Sequence, residues 1–164
     1  MRLLAILACT AILGFGQLSG RRAPGFSLPD MNIHRYDPQD YRGKWLLIDF
    51  MKTDCPHCQA LAKVLEQVKS HYGNRVAVFS IVIVPPENQS TVAAFIRQFK
   101  ITYPILFDQG QVAASYFNMT PANNKFDTPH LFIIDPNGII VKDFAQYEGQ
   151  GLMKELDSLM TAHK

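Results

Sequence analysis

The residues of this chain best suited to covalent chemistry are Cys55 and Cys58, in the run Cys55-Pro56-His57-Cys58. A thiol at the start of a helix meets unpaired backbone N–H groups and the positive end of the helix dipole, and both favour its thiolate. A second thiol one turn further on is close enough to form a disulfide with it. Pro56 falls at the first helical position, where its missing N–H costs nothing. The chemistry open to such a pair is thiol–disulfide exchange. An inert disulfide or half of a zinc site are the competing readings, but a structural zinc site needs four ligands and no second cysteine pair exists.

The pair needs a strand before it and a helix after it, and the sequence supplies both. Trp45 to Met51 is an apolar run of strand character. Pro56 to Tyr72 carries Leu61, Val64, Leu65 and Val68 on one helical face and is closed by Gly73-Asn74. Val76 to Val84 is nearly continuous and β-branched, as in a strand buried on both faces, and Pro85-Pro86 ends it. Ser90 is placed to cap a helix over 91–99. A short strand follows at 105–107, then a short helix at 111–117 and a polar excursion at 118–127. Strands at 131–134 and 139–141 flank the turn Asp135-Pro136-Asn137-Gly138, and a last helix spans 152–160. Upstream, 25–30 and 33–36 read as a short edge hairpin and 21–24 as a linker into the domain.

The 164 residues suit one domain with short appendages, and nearly half are apolar. A net charge of +2 with both signs scattered offers no basic stripe for nucleic acid. Residues 1–20 read as an export signal or an N-terminal anchor, and residues 21–164 as the domain. Met1-Arg2 is a positive start, Leu3 to Phe15 is apolar, and small residues at 14 and 16 place cleavage after Gly16. The run falls short of the roughly 20 residues of a membrane span. Ile6-Leu7-Ala8-Cys9 also resembles a bacterial lipobox, which would hang the protein from a membrane by a lipid on Cys9. Export, to a periplasmic or other extracytoplasmic place, is expected. Any membrane contact would run through the N-terminus alone.

Five marks in order resemble the thioredoxin superfamily, nearest its exported TlpA-like branch, which is often grouped with peroxiredoxin-like proteins. They are Ala23-Pro24-Gly25-Phe26-Ser27-Leu28-Pro29-Asp30, Tyr41-Arg42-Gly43-Lys44, Cys-Pro-His-Cys, Thr128-Pro129, and Ile133-Ile134-Asp135-Pro136-Asn137-Gly138. The resemblance covers about residues 23–160. It implies an α/β thioredoxin fold, a central mixed sheet flanked by helices, with an N-terminal β-hairpin and an inserted β-α element. It implies Cys55 as nucleophile, Cys58 as buried resolving thiol, and Pro129 as a cis-proline facing them. The backbone of Thr128 would pair with a bound substrate chain. Asp49, six residues before Cys55, stands where thioredoxins keep a buried acid that accepts the proton of Cys58. Partners would be protein thiols or disulfides and a membrane-bound or soluble redox partner. The resemblance implies no cofactor beyond the cysteine pair; because copper chaperones use the same fold, it leaves as the alternative an assembly factor that holds copper or zinc with Cys55, Cys58 and His130.

Pro56-His57 is the pair found in DsbA-type oxidants, and His57 would favour the Cys55 thiolate. Three departures complicate the picture. Asp54 replaces the tryptophan usual before the first cysteine, and its charge opposes the thiolate. Leu61 stands where some TlpA-like reductases carry a glutamate, leaving Asp49 to act alone. The residues before Cys55 do not match the peroxiredoxin spacing, so peroxidase chemistry is not expected.

Overall fold

A computed structural model describes residues 18–163. The segment read as an export signal therefore lies almost wholly outside the described residues, with Cys9. Two short strands, β1 (Leu28–Pro29) and β2 (Arg35–Tyr36), form an antiparallel hairpin. A five-stranded sheet is built from β3 (Trp45–Phe50), β4 (Val76–Ile83), β5 (Ile105–Asp108), β6 (His130–Ile134) and β7 (Ile140–Ala145). Its spatial order is β5-β4-β3-β6-β7. The pairs β3–β4 and β4–β5 are parallel, while β3–β6 and β6–β7 are antiparallel. Four helices, α1 (Pro56–Tyr72), α2 (Gln89–Phe99), α3 (Gln111–Tyr116) and α4 (Leu152–Ala162), complete the fold. The unit β5–α3 is the inserted element, and it puts β5 at the edge of the sheet.

Strand alternation divides the core in two. Leu47 of β3 and Met51 just beyond its end, with Leu131 and Ile133 of β6, pack against Leu61 and Leu65 of α1, Phe95 of α2 and Leu156 of α4. Leu46, Ile48 and Phe50 turn the other way, onto Phe132, Tyr116 of α3 and Phe26. Asp49 and Ser80 are opposite one another in the parallel β3–β4 register. They belong by alternation to the α1 face. Each large apolar side chain buried there contributes roughly 1.5–3 kcal/mol, and that packing is what holds a carboxyl group away from water.

Local chemistry sets the element ends. Cys55 is the N-cap of α1 and Pro56 its first residue, and Gly73 closes it with φ 54°. Asn88, rather than Ser90, caps α2. Its Oδ1 accepts the Ser90 and Thr91 N–H groups at 2.9 and 3.2 Å, and the Thr91 hydroxyl accepts the Asn88 N–H at 3.1 Å. Residues 20–23 are not a free linker: Gly20 donates to Ile140 O at 2.7 Å, Ile140 donates to Arg21 O at 2.8 Å, and Ala23 donates to Gly138 O at 2.9 Å. The excursion at 118–127 is tied down by Phe126, which stacks on Phe117 at 4.2 Å between centroids. Among the described residues no helix is long and apolar enough to cross a membrane.

Candidate active site

The chain leaves β3 at Phe50, turns through residues 51–54 and enters α1 at the cysteine pair. Both thiols are free. Cys55 is half-buried and Cys58 is fully buried. Their sulfurs sit in different settings. Cys55 Sγ accepts the Cys58 N–H at 3.4 Å, so the helix start solvates it as an N-cap would be solvated. It also lies 3.8 Å from Thr128 O, to which its thiol donates. Cys58 Sγ accepts the Lys52 N–H at 3.5 Å. Burial pushes the Cys58 thiol up strongly, its contact with Cys55 and the nearby charge of Asp49 add to the rise, and the Lys52 N–H opposes it. The half-buried sulfur thus lies on the helix start, and the fully buried one needs a base to ionise.

Asp49 is the acid that could supply that base. It is fully buried, and burial pushes its carboxyl up to about 8, with the Ser80 hydroxyl at 3.2 Å on Oδ2 pulling the other way. Among the described residues Asp49 Oδ1 has no hydrogen-bond partner. The peptide bond between Thr128 and Pro129 is cis. Pro129 is buried, and its carbonyl accepts the Gln146 N–H at 2.8 Å. Asp54 is exposed at the mouth of the site, as are Pro56 and His57.

His130 is not brought to the cysteines. Its ring stacks on Phe132 at 4.7 Å and meets Phe117 edge-on at 4.8 Å, and both belong to the face of the sheet away from α1. Its Nε2 is 3.1 Å from Asp143 Oδ2. Burial lowers its pKa. The three-ligand site with Cys55 and Cys58 is therefore corrected: the odd-even alternation of β6 sends Leu131 toward the thiols and His130 away from them.

Three residues that the sequence did not single out belong to the site. Ser80 is the one polar residue within the run 76–84, and that isolation was the available signal. Glu87 binds the turn before Cys55. Glu148, on the loop between β7 and α4, pairs with His57 Nδ1, and that hydrogen bond lowers the Glu148 pKa. Its neighbour Gly149, at φ +93°, lies so close to α1 that a Cβ there would sit 2.8 Å from the Val64 side chain. No local pattern could foretell a contact across 91 positions. Glu148 thus brings a carboxylate to the residue between the two cysteines. Glu148→Gln is expected to raise the reduction potential of the pair, with the shift shrinking in high salt. A lowered potential would contradict that assignment.

Sheet order, helix placement, a cis-proline and a dithiol at a helix start define a thioredoxin-fold dithiol protein. Residues 19–143 match the AhpC/TSA family, and the chain belongs to it, as a TlpA-like member of the thioredoxin superfamily. It is 29% identical over 126 residues to the thioredoxin-like protein YneN of Bacillus subtilis, covering 76% of this chain and 70% of that one. It is also 29% identical over 119 residues to the thiol-disulfide oxidoreductase ResA of Geobacillus kaustophilus, covering 73% and 64%. Among solved structures, a putative protein disulfide isomerase from Bacteroides thetaiotaomicron superposes with TM-score 0.73 at 24% identity, over 85% of this chain and 87% of that one. A putative thiol:disulfide interchange protein DsbE from Chlorobium tepidum gives 0.72 at 18%, over 85% and 96%. The activity of the chain is that of a thiol–disulfide oxidoreductase.

Proposed function

We propose that this protein is an exported oxidoreductase that exchanges disulfides with protein substrates through Cys55 and Cys58. The observation that carries the reading is the unequal setting of the two thiols: Cys55 half-exposed on the Cys58 N–H, and Cys58 buried beside Asp49. In the reducing direction the Cys55 thiolate attacks a substrate disulfide and releases one substrate thiolate. Cys58 then gives its proton to Asp49 and attacks Cys55. The Cys55–Cys58 bond forms and the second substrate thiol leaves with the electron pair of the broken bond. The oxidising direction is the reverse. Thr128 and Pro129 would hold the substrate backbone beside Cys55. The redox partner would be a soluble or membrane-bound thiol protein in the same compartment.

His57 pulls the potential of the pair upward, while Asp54 and Glu148 pull it downward. Equilibration against glutathione is expected to give one two-electron transition, with a midpoint between about −270 mV, typical of thioredoxin, and about −120 mV, typical of DsbA. The half of that interval in which it falls decides the net direction. Failure to reach an intramolecular disulfide at any glutathione ratio would overturn the reading.

A further inference from the structure

Glu87 follows the Pro85-Pro86 turn and is only 5% exposed. Its Oε1 accepts the Thr53 N–H at 2.7 Å and the Thr53 hydroxyl at 3.0 Å. Its Oε2 lies 2.9 Å from the same hydroxyl and accepts the Thr91 hydroxyl at 2.5 Å. A carboxyl group in so dry a place is costly unless donors surround it, and here they do. What those donors fix is the turn that carries the thiols. The last sheet bond before the turn is Met51 N–H to Ile81 O at 3.0 Å. Beyond it the Lys52 N–H meets Cys58 Sγ, Lys52 O accepts the Cys55 N–H at 3.4 Å, and Thr53 O accepts Gln59 Nε2–H at 3.0 Å. Thr53 is therefore held on both sides, by α1 through its carbonyl and by Glu87 through its N–H and hydroxyl.

We propose that Glu87 is a positioning residue for the resolving step: through Thr53 it holds the Lys52 N–H on the sulfur of Cys58. This inference rests on the reading of Cys58 as the resolving thiol. In that step the Cys58 thiolate attacks Cys55, the intramolecular bond forms, and the outer thiol leaves as a thiolate. The Lys52 N–H stabilises the attacking sulfur before bond formation, and a slack turn would withdraw it. The Lys52 N–H, 3.5 Å from Cys58 Sγ, favours the thiolate there, against burial and the neighbouring Cys55 and Asp49. The first attack, by Cys55, does not use that N–H.

The two steps can be watched separately with 5,5′-dithiobis(2-nitrobenzoate) at one equivalent, on the reduced full chain in a Cys9→Ser background. Attack by Cys55 releases one thionitrobenzoate, and resolution by Cys58 releases the second. Glu87→Gln keeps the volume but presents a donor to the threonine hydroxyls, and Thr53→Val removes one of those hydroxyls while leaving Glu87 in place. In both variants the second release is expected to slow about tenfold and the first to stay within about twofold. Thr53→Ser, which keeps both donors, should restore the second release. An unchanged ratio of the two rates in Glu87→Gln and Thr53→Val would overturn the positioning role, as would equal slowing in Thr53→Ser. If the parent chain released only one equivalent, the resolving role of Cys58 itself would fall, which is a distinct result.

Discussion

A Cys58→Ala variant is expected to attack a substrate disulfide and then stop. Cys55 keeps its place at the N-terminus of α1 and loses only its resolving partner, so the adduct on Cys55 persists. Non-reducing electrophoresis or intact mass should show a covalent complex that dithiothreitol releases. Turnover should fall by roughly 1,000-fold or more, as it does when a group acting in a unit is removed. In a Cys9→Ser background, Cys55→Ser should abolish turnover without any adduct, because the remaining thiol, Cys58, is buried and has no approach to substrate. A Cys58→Ala protein that left no adduct, while Cys55 stayed open to alkylation, would refute the exchange cycle. The fold should tolerate both changes, since each substitution is close in size to the residue it replaces.

The second large effect is expected from Asp49→Asn. With its carboxyl pushed up to about 8 by burial, Asp49 is mostly protonated at neutral pH and becomes a base as pH rises through 8. Resolution of the mixed disulfide should therefore accelerate with pH across that range. In Asp49→Asn the limb near 8 should vanish and the neutral-pH rate should drop by about 100-fold or more. Stability moves in the opposite sense. The folded carboxyl binds its proton more tightly than the unfolded one, so folding stability is full at low pH and declines as pH climbs from about 4 to about 8. The amide escapes that decline, so the variant's stability should change far less between pH 5 and pH 9 than the parent's, whose loss is on the order of 5 kcal/mol. Urea unfolding at pH 5 and pH 9 would measure it. An Asp49→Asn variant that lost rate but kept the pH limb would assign the proton to another group.

The fold was largely legible because its signals are local. The run 45–51, the stripe on 56–72 and the turn at 135–138 each carry their own periodicity or turn chemistry, and the strands and helices lie there. Two of the misreadings share one cause, which is choice between neighbouring residues. Asn88 and Ser90 can both cap a helix, and only the reciprocal bond with Thr91 decides between them. His130 sits beside Pro129 in sequence, yet one step along a strand reverses the direction of the side chain. The polar partners of the site were hidden for a different reason. Thr53 meets Glu87 across 34 positions and His57 meets Glu148 across 91. Such contacts are products of tertiary closure, and no spacing rule reaches that far.

The register of β3 against its neighbours has a meaning beyond stability. Asp49 faces Ser80 and the thiols, while Ile48 and Phe50 on either side face the aromatic cluster around Phe132. A slip of a single residue would send the carboxyl into that cluster and turn a phenyl ring toward Cys58. Every backbone hydrogen bond of the ladder could be remade after such a slip, but the carboxyl that we propose takes the Cys58 proton would be gone. The alignment of two strands is in this sense a chemical instruction, written in the hydrogen-bond ladder and read out at sulfur.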